Sequence, residues 1–370
     1  MAVFRELLLA GSETFIRNQV DAFTGWTPTL FGLGRTPSAL SRDTDVVAFS
    51  RATRLERRLF KIRRRDARVS AVLQGLRPQL VHAHFGMDGA MILPSTRRLG
   101  LPLVVTFHGV DVNVLPDHPS LMARLYRGRL PELFTHASAL VAVSEFIASR
   151  LEALGAPADR IVVLPTGIPL APAVDDRARQ GVVFVGRLTE VKGASDAIRA
   201  YAALPDRIRD QHPLSIIGEG PLTGELERLS YELGADARFR GSLPPEAVSQ
   251  ALSSAAVFIG PSRRAADGAT EALGTVFLEA GAARLPIIAY RSGGVPEAVL
   301  DGRSGLLAPE GDVGTLSGHL QSLLTNDSMR IRMGAAGRSH VAEKFDIAAN
   351  TQRLEELYAR VVSTHDRKKP

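Results

Sequence analysis

Glu271 and Glu279 lie eight residues apart in EALGTVFLEAGAARLPIIAY, with Gly274 between them and a good helix-forming run after it. A helix starting near Thr275 would leave its first N–H groups, those of Thr275 and Val276 among them, free to meet a phosphate. Glu271 would then sit in the loop just before that N-terminus and Glu279 about a turn inside, two carboxylate acceptors suited to sugar hydroxyls. The same spacing also fits two solvated glutamates on a helix. A second constellation is VVFVGRLTEVKGA, where an apolar run ends at Gly186 and Arg187 and Lys192 follow. At a strand's carboxyl end these cations could neutralise a diphosphate, arginine through its planar fork and lysine as a point charge. An ordinary solvated loop is the other reading.

His108 and Asp111, in VTFHGVDV, come directly after another apolar run. There His108 could be a proton shuttle, a hydrogen-bonding group at a reacting carbon, or a structural histidine. His82 and His84, in VHAHF, alternate on one strand face; a metal pair would need a third ligand that is not in evidence, and packing is the simpler reading. No metal site is expected. Asp43-Thr44-Asp45 has a D-x-D spacing but precedes a strand, and Gly218-Glu219-Gly220 lacks its third glycine until Gly224, which disfavours a nicotinamide loop. With 0 Cys, thiolate nucleophiles, disulfides and Cys-ligated metals are excluded, and a reducing compartment fits.

The elements that must hold these residues follow from the apolar pattern. Short β-branched runs recur before turns and helical stretches: VVAF (46–49), LVHAHF (80–85), LVVTFHG (103–109), ALVAVS (139–144) and IVVLPTG (161–167). A second series follows a Pro- and charge-rich segment (169–180): VVFVGRL (182–188), LSIIGEG (214–220), AVFIGPS (256–262), LPIIAY (285–290) and GLLAP (305–309). Runs apolar at consecutive positions are what a parallel sheet covered on both faces requires. The expectation is an α/β protein of two Rossmann-like, doubly wound domains, 1–168 and 169–345, facing each other across a cleft. FDIAANTQRLEELYARVV (345–362) reads as an amphipathic helix and STHDRKKP as a frayed basic tail.

The opening MAVFRELLLAGSETF carries Glu6 inside its only apolar run, too short for a signal peptide or a membrane span, so a cytoplasmic protein is expected. Arg51–Arg68 holds nine Lys/Arg against Glu56 and Asp66, a net +7 against +6 for the whole chain, so the basicity is local. With Leu55, Leu59, Phe60 and Ile62 interspersed, it reads either as a basic amphipathic helix for an anionic membrane surface or as a solvated face. Low aromatic content and the absence of a reading-head motif argue against nucleic acid.

Taken in order, GSETFIRNQ (11–19), VHAHFG (81–86), FHGVDV (107–112), VAVSEF (141–146), VLPTGI (163–168), VGRLTEVKG (185–193), IIGEGP (216–221), the Glu271/Glu279 pair, GGVPEAV (293–299) and DGRSGLL (301–307) span nearly the whole chain. Together they resemble the family 4 glycosyltransferases of the GT-B fold, particularly bacterial enzymes of colanic-acid-type and other exopolysaccharides. The resemblance implies that Arg187 and Lys192 hold the diphosphate of a nucleotide-sugar, that Glu279 bonds the ribose, and that Glu271 orients donor-sugar hydroxyls with help from N–H groups near Thr275 and Val276. It places His108 beside the anomeric carbon and Gly11 near the phosphates. It further implies transfer with retention, no metal or other cofactor, and a C-terminal helix (346–370) crossing back onto the first domain. The family and the basic run together point to a glycan or polyprenyl-linked acceptor, and the basic run alone, where it is not a solvated face, to peripheral contact with the inner face of the membrane. The Glu271 motif reads EALG where many relatives carry a Gly-rich stretch. Another GT-B sugar-nucleotide enzyme, epimerase- or phosphorylase-like, is the nearest alternative; a membrane- or nucleic-acid-binding module rests on 51–68 alone.

Overall fold

The apolar runs become strands that pair only in parallel. A computed structural model describes the chain except residues 12, 50–53, 65, 171–178 and 368–370, and the side chains of 54, 55, 57 and 58. The chain divides into two units, Met1–Pro169 with Ile347–Pro370, and Leu170–Asp346. The first contains β1 (Ala2–Phe4), β2 (Leu7–Leu8), β3 (Thr29–Gly32), β4 (Gly34–Arg35), β5 (Val46–Val47), β6 (Val81–His84), β7 (Leu103–Phe107), β8 (Ala139–Ala142) and β9 (Ile161–Val163). Seven of these form one sheet in the order β5-β3-β1-β6-β7-β8-β9, while β2 and β4 make a separate two-stranded ladder. The second unit contains β10 (Val182–Val185), β11 (Leu214–Ile217), β12 (Arg238–Phe239), β13 (Val257–Gly260), β14 (Ile287–Tyr290) and β15 (Gly305–Ala308), in the order β12-β11-β10-β13-β14-β15. In each sheet the winding reverses beside its first strand, between β1 and β6 and between β10 and β13. In open parallel sheets ligands gather at the carboxyl ends of such strand pairs.

Helices cover both faces because the strands are apolar on both. In the second unit Val182, Phe184, Ile216 and Ile259 pack with Ala197, Ile198, Leu316 and Leu320 in one buried core. In the first, Leu80, Val104 and Val141 meet Leu354, Leu357, Tyr358 and Val361 of the C-terminal helix Ile347–Asp366. Burying each such side chain stabilises by roughly 1.5–3 kcal/mol, so this helix is an integral part of the first unit. Glu355 adds a polar fastening by accepting the backbone N–H groups of Thr24 and Gly25.

Tyr358 also reaches into the sheet. Its hydroxyl lies 2.6 Å from His82 Nδ1, and His82 Nε2 lies 2.7 Å from Thr106 Oγ1, all buried. Tyr358→Phe should therefore lower unfolding stability by about 1–3 kcal/mol, because it leaves a buried ring nitrogen without its hydrogen-bond partner. An unchanged urea midpoint would show that this bond adds nothing net.

Two expectations are corrected here. The C-terminal helix continues through Ser363–Asp366 instead of fraying after Val362, and His365 Nε2 meets the Gly100 carbonyl at 2.8 Å. The basic run is not one helix: Arg54–Arg63 is helical, Arg64 turns left-handed at φ 54°, and Asp66 caps a new helix, Ala67–Leu76, by accepting the N–H of Arg68. Residues 51–53 and 65 of that run lie outside the described residues.

Candidate active site

At the switch point of the second unit, Arg187 follows β10 and Ser262 follows β13. The chain after β10 makes a tight turn, Glu190–Lys192, that brings Lys192 back toward β13. There Lys192 Nζ pairs with Glu271 Oε2 at 2.5 Å, and Ser262 Oγ donates to the same oxygen at 3.2 Å. The two side chains are only 26% and 12% exposed, so the pair is less screened than a surface salt bridge. Glu271 is held from behind by the N–H of Gly294, which donates to its carbonyl at 2.9 Å. The GGVPEAV motif thus fixes the backbone of the carboxylate-bearing loop.

Gly274, at φ 80°, starts the helix Thr275–Ala282, and no side chain caps that start. The helix thus starts at Thr275, where the glutamate spacing predicts it, with no side chain over the first N–H groups. Glu279 follows a turn later. Water reaches it, yet the surrounding protein desolvates its carboxyl and pushes it up to about 7. Arg187 is exposed and lines a different depression, of about 680 Å³, with Gly218, Glu219, Gly220, Phe239 and Gly241. Sequence reasoning did not find this recess; the signal available was the glycine pair after β11 together with the turn after Phe239.

In the first unit the residue after β1 is Arg5. Its guanidinium binds Glu13 at 2.8 Å and Asp88 at 2.8 Å and lies 4.6 Å from the centre of the Phe85 ring. Burial pushes the Asp88 carboxyl up to about 7, against the pull of Arg5. Phe85, which follows β6, adopts φ 72° and ψ 138°, close to a region nearly reserved for glycine. That strain, of order 1–3 kcal/mol, aims its ring at His108, whose ring centre is 4.7 Å away; Phe15 contacts His108 at the same separation.

His108 follows β7. Its Nε2 is 3.0 Å from His84 Nδ1. Burial, helped by His82 and Arg5, pushes the His108 imidazole down to about 3, so it is neutral at physiological pH. That leaves it a poor proton shuttle and an effective hydrogen-bonding group. Asp111 is not available for chemistry, because its carboxylate accepts N–H groups from Gly86, Gly109 and His108. His82 and His84 are both buried and their rings touch, with centroids 4.5 Å apart. Among the described residues no group of three or more His, Cys, Asp or Glu side chains could hold a metal. Gly11 is exposed in a turn after β2, and a Cβ there would meet nothing within 4 Å.

Other candidates resolve into structure. Asp45, of the D-x-D match, is buried on Arg17 at 2.6 Å. Of the basic run, Arg64 binds Glu132 and Arg68 binds Glu56 and Asp66, while Arg68 also covers Phe49. Lys61 pairs with Glu6. Leu59 and Ile62 remain exposed, whereas Phe60 is buried.

Two doubly wound parallel-sheet domains, each with a polar cluster at its switch point, are the architecture of the GT-B class. The comparisons agree. The Glycosyltransferase Family 4 model matches residues 10–171 and the Glycosyl transferases group 1 model matches residues 176–340. A GDP-mannose-dependent alpha-(1-6)-phosphatidylinositol monomannoside mannosyltransferase of Mycolicibacterium smegmatis is 32% identical over 72% of this chain and 73% of that one. The amylovoran biosynthesis glycosyltransferase AmsK of Erwinia amylovora is 30% identical over 75% and 69%. Among solved structures, Anabaena HepE in complex with UDP superposes with a TM-score of 0.79 at 17% identity, over 97% of this chain and 99% of that one. Sucrose-phosphate synthase from Thermosynechococcus elongatus gives 0.78 at 20%, over 98% and 99%. The chain belongs to glycosyltransferase family 4 and is a glycosyltransferase.

Proposed function

We propose that the protein transfers a sugar from a nucleotide-sugar to a hydroxyl of a glycan or polyprenyl-linked acceptor, with retention and without a metal, in cell-surface polysaccharide or glycolipid synthesis. The observation that carries this reading is the Lys192–Glu271–Ser262 cluster beside the uncapped helix start at Thr275. The acceptor oxygen attacks the anomeric carbon as the carbon–oxygen bond to the diphosphate breaks, and the hydroxyl proton passes to the departing diphosphate on the same face. Negative charge grows on the diphosphate, where Lys192, Arg187 and the N–H groups of Thr275 and Val276 stabilise it best in the transition state. Glu271 accepts hydrogen bonds from donor-sugar hydroxyls, Glu279 from the ribose, and His108 contributes a neutral hydrogen-bonding group to the sugar. Gly11 leaves room for the phosphates. The recess beside Arg187 has a volume in the range of small-ligand sites and would take the nucleoside.

The relatives support the two ends of the reaction, one named as GDP-mannose-dependent and one neighbour solved with UDP-glucose for the donor, and amylovoran and colanic acid glycosyltransferases for the product. No helix among the described residues is long and apolar enough to cross a membrane. A cytoplasmic protein touching the membrane surface through Leu59, Ile62 and the neighbouring cations fits the lipid-linked acceptor. Incubation with UDP-, GDP- and ADP-sugars in EDTA, followed by thermal unfolding and product analysis, tests the proposal. Protection by one nucleotide-sugar and glycosyl transfer in EDTA are expected; transfer that requires an added divalent ion would overturn metal independence.

The Glu279 carboxyl gives this function a pH signature. An ionised carboxylate accepts from both ribose hydroxyls, and a protonated one loses an acceptor. Because its titration is raised to about 7, ionisation is lost as pH falls through that value, so donor KM should rise below neutrality while kcat changes less. Glu279→Gln should flatten the KM profile; a profile that keeps its slope in the variant would assign it elsewhere.

A further inference from the structure

The hydrogen-bonding direction within the buried histidines of β6 and β7 can be read from their partners. A neutral imidazole carries one N–H donor and one bare acceptor nitrogen. His82 has both nitrogens engaged, Nδ1 with the Tyr358 hydroxyl and Nε2 with Thr106 Oγ1, so it offers nothing to His84. His84 has one engaged nitrogen, Nδ1, at 3.0 Å from His108 Nε2, and its buried Nε2 has no hydrogen-bond partner among the described residues. A buried N–H without an acceptor is costlier and rarer than an unsatisfied acceptor. The proton of His84 therefore belongs on Nδ1, the nitrogen that has a partner, and His108 Nε2 must be the acceptor. The packing of His108 between Phe15 and Phe85, with Phe85 held in a strained conformation, keeps the ring at that position.

We propose that His84 is a positioning residue that donates from Nδ1 to His108 Nε2 and thereby locks His108 as its Nδ1–H tautomer. His108 then presents a hydrogen-bond donor, not an acceptor, to whatever it meets. Resting on the reading of His108 as a sugar contact, this gives the site a chemical preference: the atom it recognises must be an acceptor, a hydroxyl, ring or phosphate oxygen, and an N–H group at that place would be rejected. Displacement of both histidines from charge by burial is consistent with a fixed neutral pair.

Nitrogen-15 correlation spectra of histidine-labelled protein read the tautomer directly, with His108 assigned by its loss in His108→Gln. His108 should show a protonated Nδ1 and a bare Nε2; the reverse pattern overturns the proposal, and this measurement needs no variant of His84 to fold. His84→Phe should let both tautomers of His108 appear and lower kcat about ten- to a hundredfold, the scale for losing an orienting partner, with far less change in donor KM. His84→Gln, which keeps an N–H donor, should recover part of both. Wild-type tautomer and turnover in His84→Phe would also overturn it. Normal transfer by His108→Gln, in contrast, would remove the sugar contact assigned to His108 and leave the tautomer to the spectrum.

Discussion

Lys192→Ala is expected to lower sugar transfer at least about a hundredfold, on the scale seen when a transition-state donor is removed, or about 2.7 kcal/mol of barrier. The reason lies in what Lys192 neutralises. Its ammonium sits against Glu271 in a partly shielded pair, and Ser262 shares the same carboxylate oxygen. Removing it takes away a cation for the leaving diphosphate and uncovers a carboxylate that repels the same diphosphate. Glu271→Ala should cost a similar factor for a different reason, the loss of an acceptor for sugar hydroxyls. Because the two groups act on one another, the double variant should lose less than the product of the single losses. Measurements of kcat and KM on the three variants with the preferred nucleotide-sugar check this. Near-normal turnover in both single variants would remove the cluster from the chemistry.

Much of the scaffold that builds this cluster was legible because doubly covered parallel strands read as consecutive apolar runs, and all ten such runs contain a strand. What escaped was short or settled by distant contacts. β1 has three residues and no room for a pattern, yet it lies inside its sheet, between β3 and β6, and delivers Arg5. The break at Arg64 depends on a left-handed residue and an Asp66 cap, and the run of cations around them masked that signal. Near the end of the last helix His365 meets the Gly100 carbonyl, a contact 265 residues distant in sequence. Within the site, the Gly274–Thr275 helix start followed from local sequence, whereas the Lys192–Glu271 pair spans 79 residues and needed the β10–β13 adjacency. The His84–His108 bond was nearer to hand, since β6 and β7 register His84 beside Thr106. Two histidines on one strand and a third just past its neighbour are a sign that the three share a face.

The second large effect is expected at a residue without a side chain. Gly193 joins the Glu190–Lys192 turn to the helix Ala194–Ala202 at φ 69°, a conformation that costs other residues roughly 1–2 kcal/mol. A Cβ at this position would lie 1.9 Å from the carbonyl oxygen of Pro261 and 2.8 Å from its carbon. Both atoms are backbone, just before Ser262, so no rotamer change relieves the overlap and the two loops must separate. Gly193→Ala should therefore lose at least about 3 kcal/mol of stability, combining backbone strain with the clash. It should also reduce transfer as severely as Lys192→Ala in whatever fraction folds, because separating these loops pulls Lys192 and Ser262 apart around Glu271. Gly11→Ala supplies the contrast. With open space about its Cβ it should unfold at the wild-type urea midpoint, and any rise in its donor KM would report a phosphate approaching that turn. If Gly193→Ala instead matched wild type in midpoint and in kcat, the close contact between the two loops could not be what holds the ion pair in place.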